Sequence, residues 1–224
     1  MLCKQSVFFV TLLLFALLVP VQTPAAQRID DARYILYLPS GIKPGHKYPL
    51  VLALSPGADA ESLIKVWRGV SEKHAWIILA SKEFRNGTGR EILVRLNSLI
   101  QEIAGSYPVA KDKIITTGLS GGAMGAHAMA LFYPESVSAV IANTGMIHRN
   151  HIATRRSEYP KAKCVVFLAS PTDFRYEEMK GDKEFLEGLG WKTMWIEFKG
   201  GHSFAPEEAY LSAAKWLESQ WKER

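Results

Sequence analysis

Seven short runs of β-branched and aliphatic residues punctuate the chain between Arg33 and Phe198: RYILYL, PLVLAL, WIILAS, KIITTG, VSAVIAN, CVVFLA and WKTMWIEF. Segments of helical length lie between most of them, at about residues 60–74, 88–105, 121–133, 176–189 and 206–222. Strands that stay apolar at successive positions must be covered on both faces, and helices alternating with strands provide that cover along with parallel crossovers. The pattern predicts one α/β domain over residues 27–224, a mostly parallel sheet with helices on both faces. RYILYL and PLVLAL are joined by PSGIKPGHKYP, too short and too rich in Pro and Gly for a helix. RYILYL is therefore expected to pair antiparallel with its neighbour or to lie at an edge. No repeat, low-complexity tract or second-domain linker interrupts the pattern.

The first 26 residues follow another logic. Lys4 precedes an apolar run from Val7 to Val19, then Pro20 and small residues, the layout of a secretory signal peptide. At helical rise that run covers about 20 Å, short of the roughly 30 Å hydrocarbon core that a spanning helix must cross. Cleavage near Ala25 or Ala26 is expected, which makes the protein secreted or periplasmic. It would touch a membrane only if the leader stayed uncleaved.

Composition removes several classes of function. The formal charge of +5 becomes +4 without Lys4, and the basic residues are interspersed with 22 acidic ones, a balance that does not indicate a nucleic-acid partner. The cluster Arg155, Arg156, Lys161 and Lys163 reads as a solvated loop. Cys3 lies in the leader, so Cys164 would remain alone in the exported chain. It opens CVVFLA and reads as a small buried hydrophobe. His148 and His151 have H-x-x-H spacing but no third ligand at a useful distance, so no metal site is expected.

Gly118-Leu119-Ser120-Gly121-Gly122 fits G-x-S-x-G, and its context gives the match weight. It follows the run KIITTG directly and precedes the small-residue helix GGAMGAHAMALFY, the strand-turn-helix setting of an exposed nucleophilic serine. Side chains at 118 and 122 would collide across so tight a turn. The helix behind the serine offers free amides and a positive dipole end to developing negative charge. A serine needs a base, usually a histidine oriented by a carboxylate. His46, His74 and His127 have packed or surface readings. His202 lies in KGGHSFAPEE, just beyond the run WKTMWIEF, and Asp173 lies just beyond CVVFLA. Both stand at carboxyl ends of strands, where ligands bind in open α/β sheets. Asp182, inside the next helix, is the weaker candidate for the acid.

The order Ser120, Asp173, His202 at these strand ends resembles the α/β-hydrolase superfamily over essentially everything after the leader. YPLVLALSPGADA and GLSGGAMGAHAMALFYPE resemble small polyhydroxybutyrate depolymerase-like and feruloyl esterase-like enzymes, with carboxylesterase/phospholipase-like enzymes close behind. The resemblance implies an α/β-hydrolase fold and carboxylic ester hydrolysis without a cofactor, on small-molecule or exposed polymeric esters. It also implies an oxyanion hole of backbone amides, one from Gly121. Such enzymes carry His-Gly where this chain has Ser55-Pro56, which leaves Gly57, then Ala58, as the second donor. A serine peptidase of related fold would use the same residues, and an inert secreted binding module is the reading from another class. Only about twenty residues, Thr144 to Lys163, connect VSAVIAN to CVVFLA. No substantial lid is therefore expected, and the site should be open and shallow, rimmed by MIHRNH and suited to short acyl chains.

Overall fold

The computed structural model describes residues 24–222. Of the expected leader only residues 24–26 fall among them; the rest lies outside the described residues. One sheet of eight strands organises the chain: β1 (Gln27–Asp30), β2 (Tyr34–Leu38), β3 (Tyr48–Leu54), β4 (Ile77–Ser81), β5 (Val109–Leu119), β6 (Ala139–Asn143), β7 (Cys164–Ala169) and β8 (Lys192–Glu197), in the order β1-β2-β4-β3-β5-β6-β7-β8. From β4 through β8 every pairing is parallel, while β2 runs antiparallel to both β1 and β4. The antiparallel expectation for RYILYL is thus met, but its partner is β4 rather than the next strand in sequence, and β1 takes the edge.

The helices are α1 (Ala60–His74), α2 (Arg90–Ser106), α3 (Gly121–Phe132), α4 (Arg149–Arg155), α5 (Tyr176–Glu187) and α6 (Glu207–Lys222). Asp59 starts α1 by accepting a hydrogen bond from the Ser62 amide at 3.0 Å, and Ala75 ends it in the left-handed region at φ 55°. Along β3 the side chains alternate between two cores. Leu50, Leu52 and Leu54 face the cluster built with α2, α3 and α5, and Val51 and Ala53 face the one built with α1 and α6. Every one of these five residues is fully buried. That explains why the runs show no polar alternation: a strand covered on both faces keeps apolar residues at odd and even positions alike. Each buried Leu, Ile or Val contributes about 1.5–3 kcal/mol by leaving water.

The chain departs from β3 to β4 on one side and returns to β5 on the other. This reversal opens a crevice beyond the carboxyl ends of β3 and β5. Between β6 and β7 the described residues hold only α4 and a 3-10 turn at Arg156–Glu158, in keeping with the absence of a substantial lid.

Candidate active site

Ser120 sits alone between the end of β5 and the start of α3, with φ 54° and ψ −118°. A non-glycine residue held there costs about 1–3 kcal/mol, so the surroundings must enforce it. They do so through the backbone: the Ser120 amide donates to Asn143 O at 3.0 Å, and the Ser120 carbonyl accepts from the amides of Ala123 and Met124 at 2.9 and 3.1 Å. The glycines two residues away are sterically required. A Cβ on Gly118 would stand 2.6 Å from Leu54 O, and one on Gly122 2.7 Å from Leu54 C. Any side chain at either position would push β3 away from the bend.

Asp173 and His202 come to this point from the ends of β7 and β8. His202 Nε2 lies 2.8 Å from Ser120 Oγ, and His202 Nδ1 lies 2.6 Å from Asp173 Oδ2. The Asp173 side chain is fully buried, and its other oxygen accepts from the Arg175 amide at 2.6 Å. A carboxylate fixed in this way holds one ring nitrogen as a donor and leaves the other to accept the serine proton. Phe174, 69% exposed, lies against the imidazole with ring centres 4.5 Å apart. The three residues singled out in the sequence thus form one hydrogen-bonded chain.

Asn143, which sequence reasoning passed over, ties this chain together. Its backbone carbonyl holds Ser120, while its side chain holds the segment just after His202: Nδ2 donates to Ser203 O at 2.8 Å, and Oδ1 accepts from the Ala205 amide at 2.8 Å. The Tyr210 hydroxyl donates to the same Oδ1 at 2.5 Å, and burial raises the Tyr210 pKa, keeping it a donor. Ser170 adds a second tether, accepting from the Gly201 amide at 3.0 Å. The available signal was a polar residue closing the apolar run VSAVIAN, at the carboxyl end of its strand.

Asp182 is fully buried elsewhere. It accepts from the Ile147 amide at 2.6 Å, and Arg149 lies 3.0 Å from its other oxygen, an ion pair without hydrogen-bond alignment. Burial pushes its carboxyl up to about 6. Its structural task is to anchor the segment between β6 and α4. His127 is buried within α3 against Phe167, its Nε2 meets no partner among the described residues, and burial with the charge of Arg149 pushes it down to about 3.

A cavity of about 640 Å³ opens beside Ser120, within the range of small-molecule sites. The segment Phe84–Leu93 walls one side, and Met146, His148, His151 and Arg155 line another. The rim expected at MIHRNH is present, formed by Met146, His148 and His151. Arg155 departs from the solvated-loop reading, since its guanidinium carbon stands 5.3 Å from the Phe132 ring centre at the cavity. Gly121 lines this cavity and Gly57 does not; the Gly57 amide donates to Ser55 Oγ at 3.3 Å. The carboxamide of Asn86 lies against Gly121, its Oδ1 the nearest atom to where a Cβ at that glycine would stand and its Nδ2 3.1 Å from the same point. Among the described residues no group of three or more His, Cys, Asp or Glu side chains could hold a metal ion.

Neither a protein-family model nor a curated protein matches the chain. Solved structures do. A thermostable esterase superposes with TM-score 0.60 at 19% identity, covering 89% of this chain and 62% of its own, so the chain spans under two thirds of that protein. The S-formylglutathione hydrolase FrmB of Staphylococcus aureus aligns with TM-score 0.67 at 11% identity, over 91% of this chain and 98% of its own. The Francisella virulence factor BioJ gives TM-score 0.68 at 13% identity, over 90% and 86%. With its mostly parallel eight-stranded sheet flanked by helices on both faces, the chain has the α/β-hydrolase fold.

Proposed function

We propose that the protein is an exported serine esterase that hydrolyses carboxylic esters of small-molecule or exposed polymeric substrates through an acyl-enzyme. The observation that carries this reading is the continuous chain from Ser120 Oγ to His202 at 2.8 Å and from His202 to Asp173 at 2.6 Å, beside a cavity of substrate size. Ser120 Oγ attacks the ester carbonyl while His202 Nε2 takes its proton, and Asp173 stabilises the imidazolium that forms. The carbonyl oxygen, now negative, accepts from the Gly121 amide at the start of α3. As the tetrahedral intermediate collapses, His202 returns the proton to the leaving alcohol. Water then attacks the acyl-serine, His202 accepts the water's proton, and the acid departs as Ser120 recovers its hydrogen.

The second oxyanion donor has two claimants. Gly57 is the backbone position implied by the resemblance, and its role requires release from Ser55 Oγ. Asn86 lies beside Gly121 with Oδ1 the nearer atom, and we assign the role to its Nδ2, which requires the carboxamide to turn over. Export rests on the leader pattern, and N-terminal sequencing of the exported protein should find a chain that begins after Ala25 or Ala26. The reaction class is tested with p-nitrophenyl butyrate and hexanoate beside a peptide p-nitroanilide. Turnover of the esters alone supports the esterase; turnover of the anilide alone makes the protein a peptidase.

A further inference from the structure

The lining of the cavity beside Ser120 is chemically lopsided. Its inner surface is apolar, with Phe84, Leu93, Met124 and Phe132, whereas its charged residues are all arginines: Arg85, Arg90, Arg155 and Arg175. No Asp or Glu lines it. Two of the arginines are already paired, Arg155 with Glu158 and Arg175 with Glu178, each at 2.8 Å. Arg85 and Arg90 make no ion pair among the described residues; Glu91, the acid next to Arg90, turns back over Gly89. Arg90 and Arg155 converge on one ring, their guanidinium carbons 4.6 and 5.3 Å from the centre of Phe132. The ring attracts each cation and so holds both arginines at the cavity. Glu158 is the one carboxylate engaged with the pair, and it serves Arg155.

We infer that the cavity selects esters that carry an anionic group, such as a carboxylate, at the far end of an apolar chain or ring, and that Arg90 and Arg155 receive that group. The inference rests on the esterase reading above. Guanidinium forks match carboxylate and phosphate oxygens in pairs, and a cleft lined by one sign of charge concentrates ligands of the other. The apolar wall takes the body of the substrate, and the anion meets the arginines that line the same cavity. The mild net charge of the whole chain, +5, makes this local excess a property of the site rather than of a basic surface.

The test compares kcat/KM for matched pairs of esters. p-Nitrophenyl hydrogen adipate against p-nitrophenyl hexanoate places the carboxylate on the acyl side; para-butyryloxybenzoate against phenyl butyrate places it on the alcohol side. On one of these arms the charged ester should be preferred by about tenfold or more, the scale of a charge-assisted hydrogen bond. The preference should shrink severalfold in about 0.5 M NaCl. It should be lost in Arg90→Gln, weakened in Arg155→Gln and retained in Lys65→Gln, a charge removed from α1 on the other side of the sheet. Equal rates or a neutral preference on both arms overturn the inference, as does a preference that survives both arginine substitutions. If no ester is hydrolysed, the esterase reading fails separately. The anion site is then decided by calorimetry of phenyl hydrogen adipate with Ser120→Ala and with Ser120→Ala/Arg90→Gln. Binding that depends on Arg90 sustains the site; equal binding to both proteins, or none, overturns it.

Discussion

His127 should make the nucleophile helix sensitive to acid. The imidazole is fully buried in α3, packed on Phe167, with Nε2 unpartnered among the described residues, and burial lowers it from 6.5 to about 3. A depressed pKa means that the native state binds fewer protons than the unfolded chain. Stability from this group is therefore complete above about pH 6.5 and is lost as pH falls toward 3, at roughly 1.4 kcal/mol per pH unit. Between about pH 7.5 and pH 5 the loss comes to about 2 kcal/mol. Asp182 acts in the opposite sense, because its carboxyl is raised from 3.8 to about 6. Its native form holds more protons between those values, so its contribution rises by about 1.4 kcal/mol over the same fall in pH. The two effects nearly cancel in the native sequence, and a variant is needed to separate them. Leucine is close to histidine in volume and does not titrate. In urea unfolding, His127→Leu should gain about 2 kcal/mol over the parent on going from about pH 7.5 to pH 5, whatever the difference at the starting pH. A pH-independent difference between the two proteins would refute the buried, neutral assignment.

Three further outcomes are expected. Asp173→Asn should fold normally yet lose about four orders of magnitude in kcat, because the imidazole is then held in the wrong tautomer; steady-state p-nitrophenyl butyrate hydrolysis measures it. Asp182→Ala should instead cost about 1–3 kcal/mol of stability, because the buried Ile147 amide loses its acceptor while the half-exposed Arg149 stays in contact with water, read as a lowered urea midpoint. Asn86→Ala should lower kcat about a hundredfold with little change in KM if its amide supports the oxyanion; an unchanged kcat returns the second donor to Gly57.

The parts of the fold that were legible in the sequence are those with a strong period or a strict steric demand. Six of the seven apolar runs marked strands because two-sided burial leaves no room for polar alternation, while the seventh, at the edge in β8, is only partly buried. The bend at Ser120 was visible because only glycines fit where 118 and 122 meet β3. β1 escaped notice because QRID is short, polar and largely exposed at the edge, with no buried face to impose a pattern. α4 escaped for the same reason, since none of its residues is buried. Missing α4 in turn placed Arg155 in a solvated loop, although it lines the cavity. Asn143 was hidden differently: its role lies in bonds to residues sixty positions away, Ser203 and Ala205, which no local pattern records. Asp182, discounted as the acid, shows that a buried carboxylate can serve packing alone.

The central claim is that His202 and Asp173 activate Ser120, and active-site labelling tests it most directly. The folded protein is treated with a fluorophosphonate and digested, and the modified peptide is located by mass spectrometry. The account predicts a single adduct on Ser120, absent from Ser120→Ala and formed orders of magnitude more slowly in His202→Ala. Failure to label, an adduct on another serine, or a labelling rate indifferent to His202 would contradict it.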